Sequence, residues 1–327
     1  MTTNTKHSAD IVGIDILWYD QILILPSMPG DNSSCFVEEA SFQGGGKVAS
    51  ALVSAARQGV SCRLLAMAGD DSRSRFLIRD LEDHAVETDG IRVLTGYEIG
   101  WSVVLSDKAS GGRRILWHKN DNQPQLTRED IRASRDAIAQ ARFLHLCRTD
   151  EADLEAAAIA RENGVPVCFD ADFYSSETEA ALPLIDIFIG SEEFYDTMFG
   201  NNGSFEENCL KIRDRGPETI IFTFGSRGCR GLVDGEFFSC PAFSVDVVDT
   251  VGAGDDFHGG YLAALCLGYR PGYDAARYAS ALSAIKCTAV GGRAGIPTRT
   301  MIEQFLAEGT YSREEIEKRT AYYSTIH

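Results

Sequence analysis

The sequence predicts an α/β fold in which a mainly parallel β-sheet is covered by helices and carries a small antiparallel β flap. Three observations lead to this prediction: a repeated strand–helix rhythm, two stretches that break the rhythm, and enough apolar material for a large core. The chain has 327 residues, of which 44% are hydrophobic. At roughly 100–200 residues per domain, this length suits one large unit, or a large unit with a small appendage.

The first part of the chain already alternates strands with helices. The first β-rich run is IVGIDIL (11–17), and the first amphipathic stretch is VASALVSAARQG (48–59), a helix that Gly59 ends. A second strand, CRLLAMAG (62–69), is followed by a second helix, SRFLIRDLEDHA (74–85). This order predicts the first strand–helix–strand unit of a parallel sheet.

The same alternation returns after residue 140. A strand at 141–147, a helix at 151–164 and a strand at 165–172 are followed by further strands at 184–190 and 219–225. Strand–helix–strand order at this spacing predicts a parallel sheet with helices packed over it. Ligands in such sheets bind at the carboxyl ends of the strands, so we expect the functional site at that edge.

Two stretches have no helix to pair with. The first, SSCFVEEASFQ (33–43), is polar and partly alternating, and the second, WSVVLSDKASGGRRILWHK (101–119), has the pattern of a hairpin whose turn is SDKASGG. We expect the two to form a small antiparallel flap over the sheet edge. The alternative is that both are ordinary excursions of the main sheet.

These assignments divide the chain into three parts. The main α/β domain comprises 10–32, 44–97 and 121–308, and the β lid comprises 33–43 plus 98–120. The remaining 309–327 form a C-terminal tail, in which SREEIEKRTAYY (312–323) predicts a surface helix.

Composition excludes several classes of protein. Lys plus Arg number 31 and Asp plus Glu 48, so the net charge of 31 − 48 = −17 argues against a nucleic-acid binder. The nine cysteines form no CxxC motif and favour a reducing cytoplasm, and the six histidines show no zinc-binding spacing. We find neither a signal peptide nor a run of about 18–20 apolar residues, so we expect no membrane contact.

The segment VVDTVGAGDDFHGGYLAALCLG (247–268) carries the clearest chemistry. Small residues at Gly252, Ala253 and Gly254 open a stretch with helical apolar spacing. Bare N–H groups at a helix N-terminus, together with the helix dipole, favour a bound phosphate. A carboxylate at Asp255 would repel phosphate, so its presence indicates a base that takes a proton from an attacking hydroxyl. The alternative for Asp255 is a helix N-cap after a glycine-rich turn.

Two other nucleotide-binding motifs are excluded because the sequence lacks residues that they require. GAGDDF has the first two glycines of a dinucleotide-binding fingerprint but lacks the third, and it lies late in the chain. QGGGKV (43–48) is not a Walker A motif, because Val48 follows Lys47 where Ser or Thr is needed.

The segment DTVGAGD (249–255) resembles the C-terminal signature DTxGAGD of the ribokinase-like, or PfkB, carbohydrate kinases and matches it completely. GGGKVASALVSAARQG (44–59) resembles the family pattern GGxxxNxAxxxARLG, with Ser50 in place of the Asn. TFGSRGCRG (223–231) resembles the nucleotide-loop pattern TxGxxG. The resemblance spans about residues 10–300. It implies a ribokinase-like three-layer αβα sandwich, a β lid that closes over the sugar, and ATP-dependent sugar phosphorylation.

The resemblance also implies roles for residues. Asp255 would be the catalytic base, and Gly252, Ala253 and Gly254 would form the anion hole. The residues implied to bind ATP are Thr223, Gly225, Gly228, Gly254, Ser280 and Ser191. The helix RYASALSAIKC (277–287) would flank the adenine.

The implied cations are Mg²⁺ and, in some members of the family, K⁺. Asp249 matches the monovalent-cation position. Mg²⁺ would be carried chiefly by ATP phosphates and water. The family's NxxE motif reads Ser191-Glu192-Glu193-Phe194 here, so Glu193 would act on Mg²⁺ through water from one position away, or the role is absent, as in ketohexokinase.

The expected sugar ligand is Asp20, which lies in YDQILILPSMPGD (19–31) at the spacing of a sugar-binding Asp before a Pro-Gly turn. Asp15 is the second candidate. Gly45 and Gly46 would let the backbone approach the sugar closely. A carboxylate that accepts two hydroxyls discriminates well, since an unpaired buried polar group costs ~1–3 kcal/mol.

Arg148 stands where ribokinase has an acidic sugar ligand. A guanidinium suits phosphate, sulfonate or carboxylate, which predicts an anionic sugar. The alternative is that Arg148 pairs with Asp150 or another carboxylate. GGGK (44–47), together with PAFSVDVVDTVGAGDDFHGG (241–260) and KCTAVGGRAGIP (286–297), is most similar to sulfofructose kinase, which favours a sulfonated or phosphorylated ketose. His258 replaces a common Asn, and helix packing is its simplest role.

We therefore expect a cytoplasmic kinase that phosphorylates a primary hydroxyl of a small sugar and forms a homodimer through the β lid. Three alternatives remain: a kinase for a neutral sugar of the fructose or ribose type, a nucleoside kinase of the same family, and a non-catalytic sugar sensor.

Overall fold

The computed structural model of the protein describes residues 9–110, 112–118, 120 and 123–325. Its strands are β1 (Ile11–Ile14), β2 (Trp18–Leu25), β3 (Glu39–Gly45), β4 (Cys62–Gly69), β5 (Val86–Glu87), β6 (Ile91–Leu94), β7 (Gly100–Asp107), β8 (Arg113–His118), β9 (Phe143–Leu146), β10 (Val167–Ala171), β11 (Ile187–Ser191), β12 (Thr219–Thr223), β13 (Cys229–Val233) and β14 (Glu236–Cys240).

Its helices are α1 (Lys47–Ala56), α2 (Ser72–Asp83), α3 (Arg128–Ala133), α4 (Arg135–Ala139), α5 (Glu151–Glu162), α6 (Ser176–Ala181), α7 (Glu192–Phe199), α8 (Phe205–Arg213), α9 (Ala253–Cys266), α10 (Tyr273–Lys286), α11 (Arg299–Glu308) and α12 (Glu314–Thr325). None of the described helices has the length and apolar character needed to cross a bilayer.

The larger sheet has the strand order β14-β13-β12-β11-β10-β9-β1-β4-β5, and β6 pairs with β4. Its strands are parallel except for β13 and β14, which form antiparallel pairs at one edge. Neighbouring residues of the strands face opposite sides, so Ile11 and Val12 belong to different hydrophobic clusters. One cluster packs under α1, α9 and α10, and the other under α5 and α8. This arrangement is the predicted three-layer αβα sandwich.

The smaller sheet forms the lid and has the order β3-β2-β7-β8. The pairs β2–β3 and β7–β8 are antiparallel, as expected of a hairpin-built flap, whereas β2 and β7 run parallel. The lid therefore contains Trp18–Leu25, which the sequence analysis placed in the main domain, and its second segment lies at Glu39–Gly45 rather than 33–43. The sequence hides this boundary because only three residues separate β1 from β2.

The C-terminal helix α12 is attached to the main domain by buried polar contacts rather than lying free on the surface. Tyr323 is 1% exposed, and its hydroxyl donates to Asp80 Oδ1 at 2.5 Å and lies 2.8 Å from His84 Nε2. Asp80 in turn forms an ion pair with Arg293, which is fully buried. This network joins α12, α2 and the loop that follows α10.

Candidate active site

The glycine turn before α9 lies at the carboxyl edge of the larger sheet, where the functional site was expected. Gly252 is the N-cap of α9 and has φ 77°, a left-handed conformation that glycine adopts without strain. Gly254 is exposed, and a Cβ added to it would meet nothing within 4 Å. A ligand can therefore approach the first turn of α9 closely.

Asp255 is in the first turn of α9 and is not its cap, because Gly252 holds the cap position and α9 has no side-chain cap. Among the described residues, the N–H groups of Gly254 and Asp255 have no hydrogen-bond partner. Burial raises the pKa of Asp255 well above its usual range, and the Asp170 carboxylate raises it further, while the Lys47 ammonium acts in the opposite direction. A proton acceptor and free anion-binding donors thus share one helix end.

Lys47, the first residue of α1, provides the positive charge next to Asp255. Its Nζ lies 2.8 Å from Asp172 Oδ2 and 3.9 Å from Asp170 Oδ1. Burial alone would lower the pKa of Lys47, but these two carboxylates outweigh burial and raise the pKa. The ammonium also lies 5.4 Å from the ring centre of Phe173. Lys47 therefore remains charged and joins α1, the end of β10 and α9.

The two candidate sugar carboxylates occupy different environments. Asp20, in β2, accepts a hydrogen bond from Ser102 Oγ at 2.5 Å and packs against Gly45, where an added Cβ would lie 2.3 Å from Asp20 Oδ2. Asp15 is 5% exposed, and its oxygens accept from the backbone N–H groups of Ile16 and Ala49 at 2.7 and 2.9 Å. Burial raises the pKa of both carboxyls. Asp15 accepts hydrogen bonds from backbone N–H groups, one of them in the first turn of α1. Asp20 accepts only a side-chain hydrogen bond among the described residues, so it is the better candidate to bind a ligand.

Gly46 explains how Asp15 reaches α1. It has φ 92°, and a Cβ at this position would lie 2.8 Å from Asp15 Oδ2. Glycine is therefore required here for both the backbone conformation and the close approach. The sequence predicted that Gly46 lets the backbone approach a sugar. Its backbone conformation and its contact with Asp15 are a second reason for glycine at this position.

Arg148 is surrounded by carboxylates, which is the alternative that the sequence left open. Its guanidinium lies 3.1 Å from Asp150, 3.4 Å from Asp15 and 3.4 Å from Asp153. Burial alone would lower the pKa of Arg148, but these carboxylates and Cys147 raise it. Three carboxyl groups of the chain therefore already surround the guanidinium that predicted an anionic sugar.

The residues expected at ATP lie on the far half of the same edge. Thr223 ends β12, and Gly225 and Gly228 have φ of 54° and 86° in the turn that follows. Ser280, on α10, is 9% exposed, and its Oγ lies 3.9 Å from Cys240 Sγ. Ser191 caps α7 by accepting from the N–H of Phe194 at 3.0 Å, and its hydroxyl donates to the Asp172 carbonyl at 2.7 Å.

The position of the family's glutamate in NxxE is occupied by Phe194, which is 1% exposed and packs against Phe188 and Phe222. Glu193 is exposed in the first turn of α7, and Glu192 forms an ion pair with Arg227. The buried ring supplies no magnesium ligand, so the residues present fit a Mg²⁺ that is carried by the nucleotide phosphates and water.

Asp249, the expected monovalent-cation ligand, uses both carboxylate oxygens internally. They accept from the N–H groups of Val251 and Gly291 at 3.0 and 2.9 Å. The ammonium of Lys286, which is fully buried, lies 3.4 Å from the Asp249 carbonyl and donates to the Val251 carbonyl. A positive charge of the chain itself thus contacts the backbone of this turn.

The sequence analysis missed several charged residues of the site. Lys47 appeared only within longer motifs and was given no role of its own, although its place after three glycines at the start of a helix was a signal. Asp170 and Asp172 lie in FDAD at the carboxyl end of a predicted strand, which is where ligands bind. No sequence pattern predicted a role for Lys286, because its partners are backbone carbonyls far away in sequence.

Comparison with known proteins identifies the family. The model of the pfkB family of carbohydrate kinases matches residues 8–299. The chain belongs to the pfkB carbohydrate kinase family. It is therefore a sugar kinase, a phosphotransferase whose acceptor is an alcohol group. The resemblance noted in the sequence, the ribokinase-like fold and the lid are confirmed.

Two curated relatives illustrate the match. Ribokinase of Haemophilus influenzae is 29% identical over 268 residues, which cover 80% of this chain and 87% of the relative. Bifunctional ribokinase/ribose-5-phosphate isomerase A of Fructilactobacillus sanfranciscensis is 28% identical over 301 residues. That alignment covers 90% of this chain but only 55% of the bifunctional protein, so the chain spans just over half of its length.

Two solved structures share the fold. A putative ribokinase from Agrobacterium tumefaciens has a TM-score of 0.80 and 25% identity, with 92% of this chain and 98% of that chain covered. A putative ribokinase II from E. coli, in complex with ATP and Mg²⁺, has a TM-score of 0.80 and 22% identity, with 91% and 99% covered.

Replacing Lys47 by Met removes an ammonium that lowers the pKa of Asp255, so this pKa rises further in the Lys47→Met variant. Carbon-13 NMR titration of the aspartate carboxyls measures it, with the Asp255→Asn spectrum providing the assignment. The control is Lys318→Met, which removes a surface ammonium that pairs with Glu314 at 2.7 Å. A titration midpoint for Asp255 that stays constant or falls in Lys47→Met would contradict the arrangement.

Proposed function

We propose that this pfkB-family kinase uses ATP to phosphorylate a primary hydroxyl of a small sugar, with Asp255 as the general base. The observation that carries the proposal is the shared helix end, where Asp255 and the N–H groups of Gly254 and Asp255, which have no partner in the part of the chain that the structure describes, belong to the same first turn of α9. Asp255 takes the proton from the sugar hydroxyl, and the oxygen attacks the γ-phosphorus in line. The bond to the ADP oxygen breaks, and ADP leaves.

The glycine turn and Lys47 stabilise the negative charge that develops on the phosphoryl oxygens during this step. The two N–H groups, which have no partner among the described residues, lie at the positive end of the α9 dipole, and the half-buried ammonium of Lys47 lowers the pKa of Asp255. Mg²⁺ bound to the ATP phosphates would neutralise further negative charge. The solved E. coli complex with ATP and Mg²⁺ supports this choice of nucleotide and metal by its shared fold.

In this proposal the lid sheet closes over the bound sugar. Arg113, the first residue of β8, donates from Nη1 to Thr250 Oγ1 at 3.0 Å, so the lid hairpin reaches the glycine turn. Asp20 in β2 packs against Gly45, the last residue of β3 in the same lid sheet. We propose that sugar bound at Asp20 holds the lid against the turn and excludes water, which would otherwise accept the phosphoryl group.

Changing Asp255 to Asn removes the proton acceptor while keeping the side-chain size. We expect kcat to fall by about 10²–10⁴-fold, the usual loss for a general base. Asp234→Asn is the matched control, because Asp234 is exposed and has φ 52°, a conformation that Asn adopts readily. Steady-state ADP release measures both variants, and an unchanged kcat in Asp255→Asn would remove Asp255 from the mechanism.

The charge of the sugar is a separate proposal. The anionic-sugar prediction depends on Arg148, and the carboxylates of Asp15, Asp150 and Asp153 already neutralise that guanidinium. This pairing supports the neutral-sugar alternative, in which Asp20 accepts hydroxyls and Arg148 stabilises the buried carboxylates. A sulfonated or phosphorylated ketose would have to displace at least one of them.

We expect wild-type enzyme to turn over fructose or ribose with a higher kcat/KM than 6-sulfofructose, fructose phosphates or ketodeoxygluconate. We expect Arg148→Met to lower the activity on neutral and anionic sugars alike and to lower Tm, because it leaves buried Asp15 and Asp153 without their counter-charge. The control is Arg142→Met, which removes an exposed arginine. A wild-type preference for the charged sugars, lost selectively in Arg148→Met, would restore the anionic-sugar prediction.

A nucleoside kinase is the second candidate, and the aromatic side chains of the lid favour it. Trp101 stacks on His118 at 4.7 Å between ring centres, and Trp18 lies 5.6 Å from Trp117. Such rings can stack on a nucleobase as well as on a sugar face. Adenosine in the same substrate panel distinguishes the two, since turnover of adenosine above that of every sugar would favour the nucleoside kinase.

We also propose that Lys286 takes the place of a bound K⁺ at the glycine turn. Its ammonium already contacts the carbonyls of Asp249 and Val251, and the Asp249 carboxylate is satisfied by two backbone N–H groups. An internal cation holds the carbonyl oxygens of the turn without any exchangeable ion.

Wild-type kcat should accordingly be the same in potassium and in tetramethylammonium buffers. Lys286→Met removes the internal charge, so its kcat should fall and should recover in part when K⁺ is added. Lys318→Met serves as the surface control. A wild-type enzyme that needs K⁺ for activity would overturn the role of Lys286 and restore the expected cation site at Asp249.

The homodimer remains a prediction that the exposed lid edge supports. All six residues of β8 are exposed, and Trp117 is 70% exposed. A free strand edge with large apolar side chains is suited to pairing with a second copy.

A further inference from the structure

Three side chains of metal-binding type meet in the protein interior beneath the site. His145 is in β9, Cys168 is in β10 and His258 is in α9, and one ligand atom from each lies within 4.8 Å of the other two. All three residues are buried, with exposed fractions of 0, 0 and 4%. His145 and Cys168 are direct partners in the parallel register of β9 and β10. The sheet thus fixes two of the three groups relative to each other.

Each histidine turns one ring nitrogen toward an oxygen and leaves the other without a partner. His145 Nδ1 lies 3.3 Å from the Cys168 carbonyl, and His258 Nε2 lies 3.6 Å from Asp170 Oδ1. His145 Nε2 and His258 Nδ1 have no hydrogen-bond partner in the part of the chain that the structure describes. The His145 contact is a hydrogen bond, and the His258 contact is electrostatic; a proton on either of these nitrogens leaves a lone pair on the other nitrogen of the ring, which is the arrangement found around metal-bound histidines.

Packing alone does not account for this cluster. A buried polar atom without a partner costs ~1–3 kcal/mol, and the described residues include two such nitrogens in rings whose centres are 5.4 Å apart. Neither nitrogen is hydrogen-bonded to the other ring in the part of the chain that the structure describes. An occupant that accepts both lone pairs would remove the cost.

We propose that His145 Nε2, Cys168 Sγ and His258 Nδ1 bind one zinc ion. Thiolate and imidazole ligands together select Zn²⁺ over Mg²⁺, which prefers oxygen. On binding, the Cys168 thiol releases its proton to solvent and its sulfur forms the bond to the metal, while the two imidazoles bind as neutral ligands. The fourth position of the tetrahedron is left for water.

The ion would join the helix of the active site to the sheet beneath it. His258 follows Asp255 by three residues on α9, one turn along the same helix, while His145 and Cys168 are part of the central strands. Asp170, whose Oδ1 lies 3.6 Å from His258 Nε2, also lies 3.9 Å from Lys47 Nζ. Zinc at this point would fix the position of the first turn of α9, and this site stands independently of the proposed catalytic role of Asp255.

Cobalt(II) tests the site directly, because it takes the place of zinc and reports thiolate ligation by its absorption. Chelator-treated full-length protein is titrated with Co²⁺. We expect a sulfur-to-cobalt charge-transfer band that saturates at one equivalent, disappears on adding Zn²⁺ and persists on adding Mg²⁺. We also expect Zn²⁺, but not Mg²⁺, to raise the Tm of the same protein.

Variants assign the band to these residues. Cys168→Ser and His258→Gln should each abolish it, whereas Cys35→Ser, which removes the exposed thiol, and Cys62→Ser, which removes a buried thiol of β4, should retain it. Absence of the band in wild-type protein would show that water or nothing fills the space and would overturn the proposal. A band that survives in Cys168→Ser, or that is lost in Cys35→Ser, would overturn it as well. The wild-type titration decides the question even where a variant does not fold.

Discussion

The arrangement of the site depends on the charge balance around Asp255. Its carboxyl lies near the carboxylates of Asp170 and Asp172, and these like charges would repel one another in a region sheltered from water. The ammonium of Lys47 contacts both neighbours and lowers the pKa of Asp255 against the effect of burial. One lysine at the start of α1 therefore allows three acidic groups to meet where a phosphate must also approach.

The backbones of α1 and α9 pack closely, which brings these charged groups together. A Cβ on Gly259 would lie 2.1 Å from the Ala51 carbonyl, so α9 and α1 can pack as they do only with glycine at this point. The same two helices are joined by Ser54, whose hydroxyl donates to Asp256 Oδ1 at 2.6 Å. Burial raises the pKa of Asp256 to about 7. Packing and polar contacts between α1 and α9 together fix Lys47 relative to the glycine turn.

Much of this could be predicted from the sequence, because strand and helix periodicity and the DTVGAGD turn are local features. The strand at 62–69 occurs as predicted, and Gly100–Asp107 and Arg113–His118 are the two strands of the predicted hairpin, of which residues 111 and 119 lie outside the described part of the chain. The lid boundary was misplaced because β2 follows β1 directly and its pairing with β7 is a long-range contact. Arg148 was ambiguous for a similar reason, since a guanidinium looks the same in sequence whether a ligand or Asp15, Asp150 and Asp153 neutralise it. Lys286 could not be assigned at all, because it binds backbone carbonyls that no side-chain pattern marks.

The central claim is that a phosphoryl group is transferred at the first turn of α9 to a hydroxyl held by Asp255. A crystal structure with ADP, Mg²⁺, aluminium fluoride and the sugar that is turned over fastest tests it most directly. The account predicts the fluoride on the N–H groups of Gly254 and Asp255, with the sugar hydroxyl within hydrogen-bond distance of the Asp255 carboxylate and other hydroxyls on Asp20. A fluoride bound elsewhere, or an Asp255 carboxylate turned away from the sugar, would contradict it.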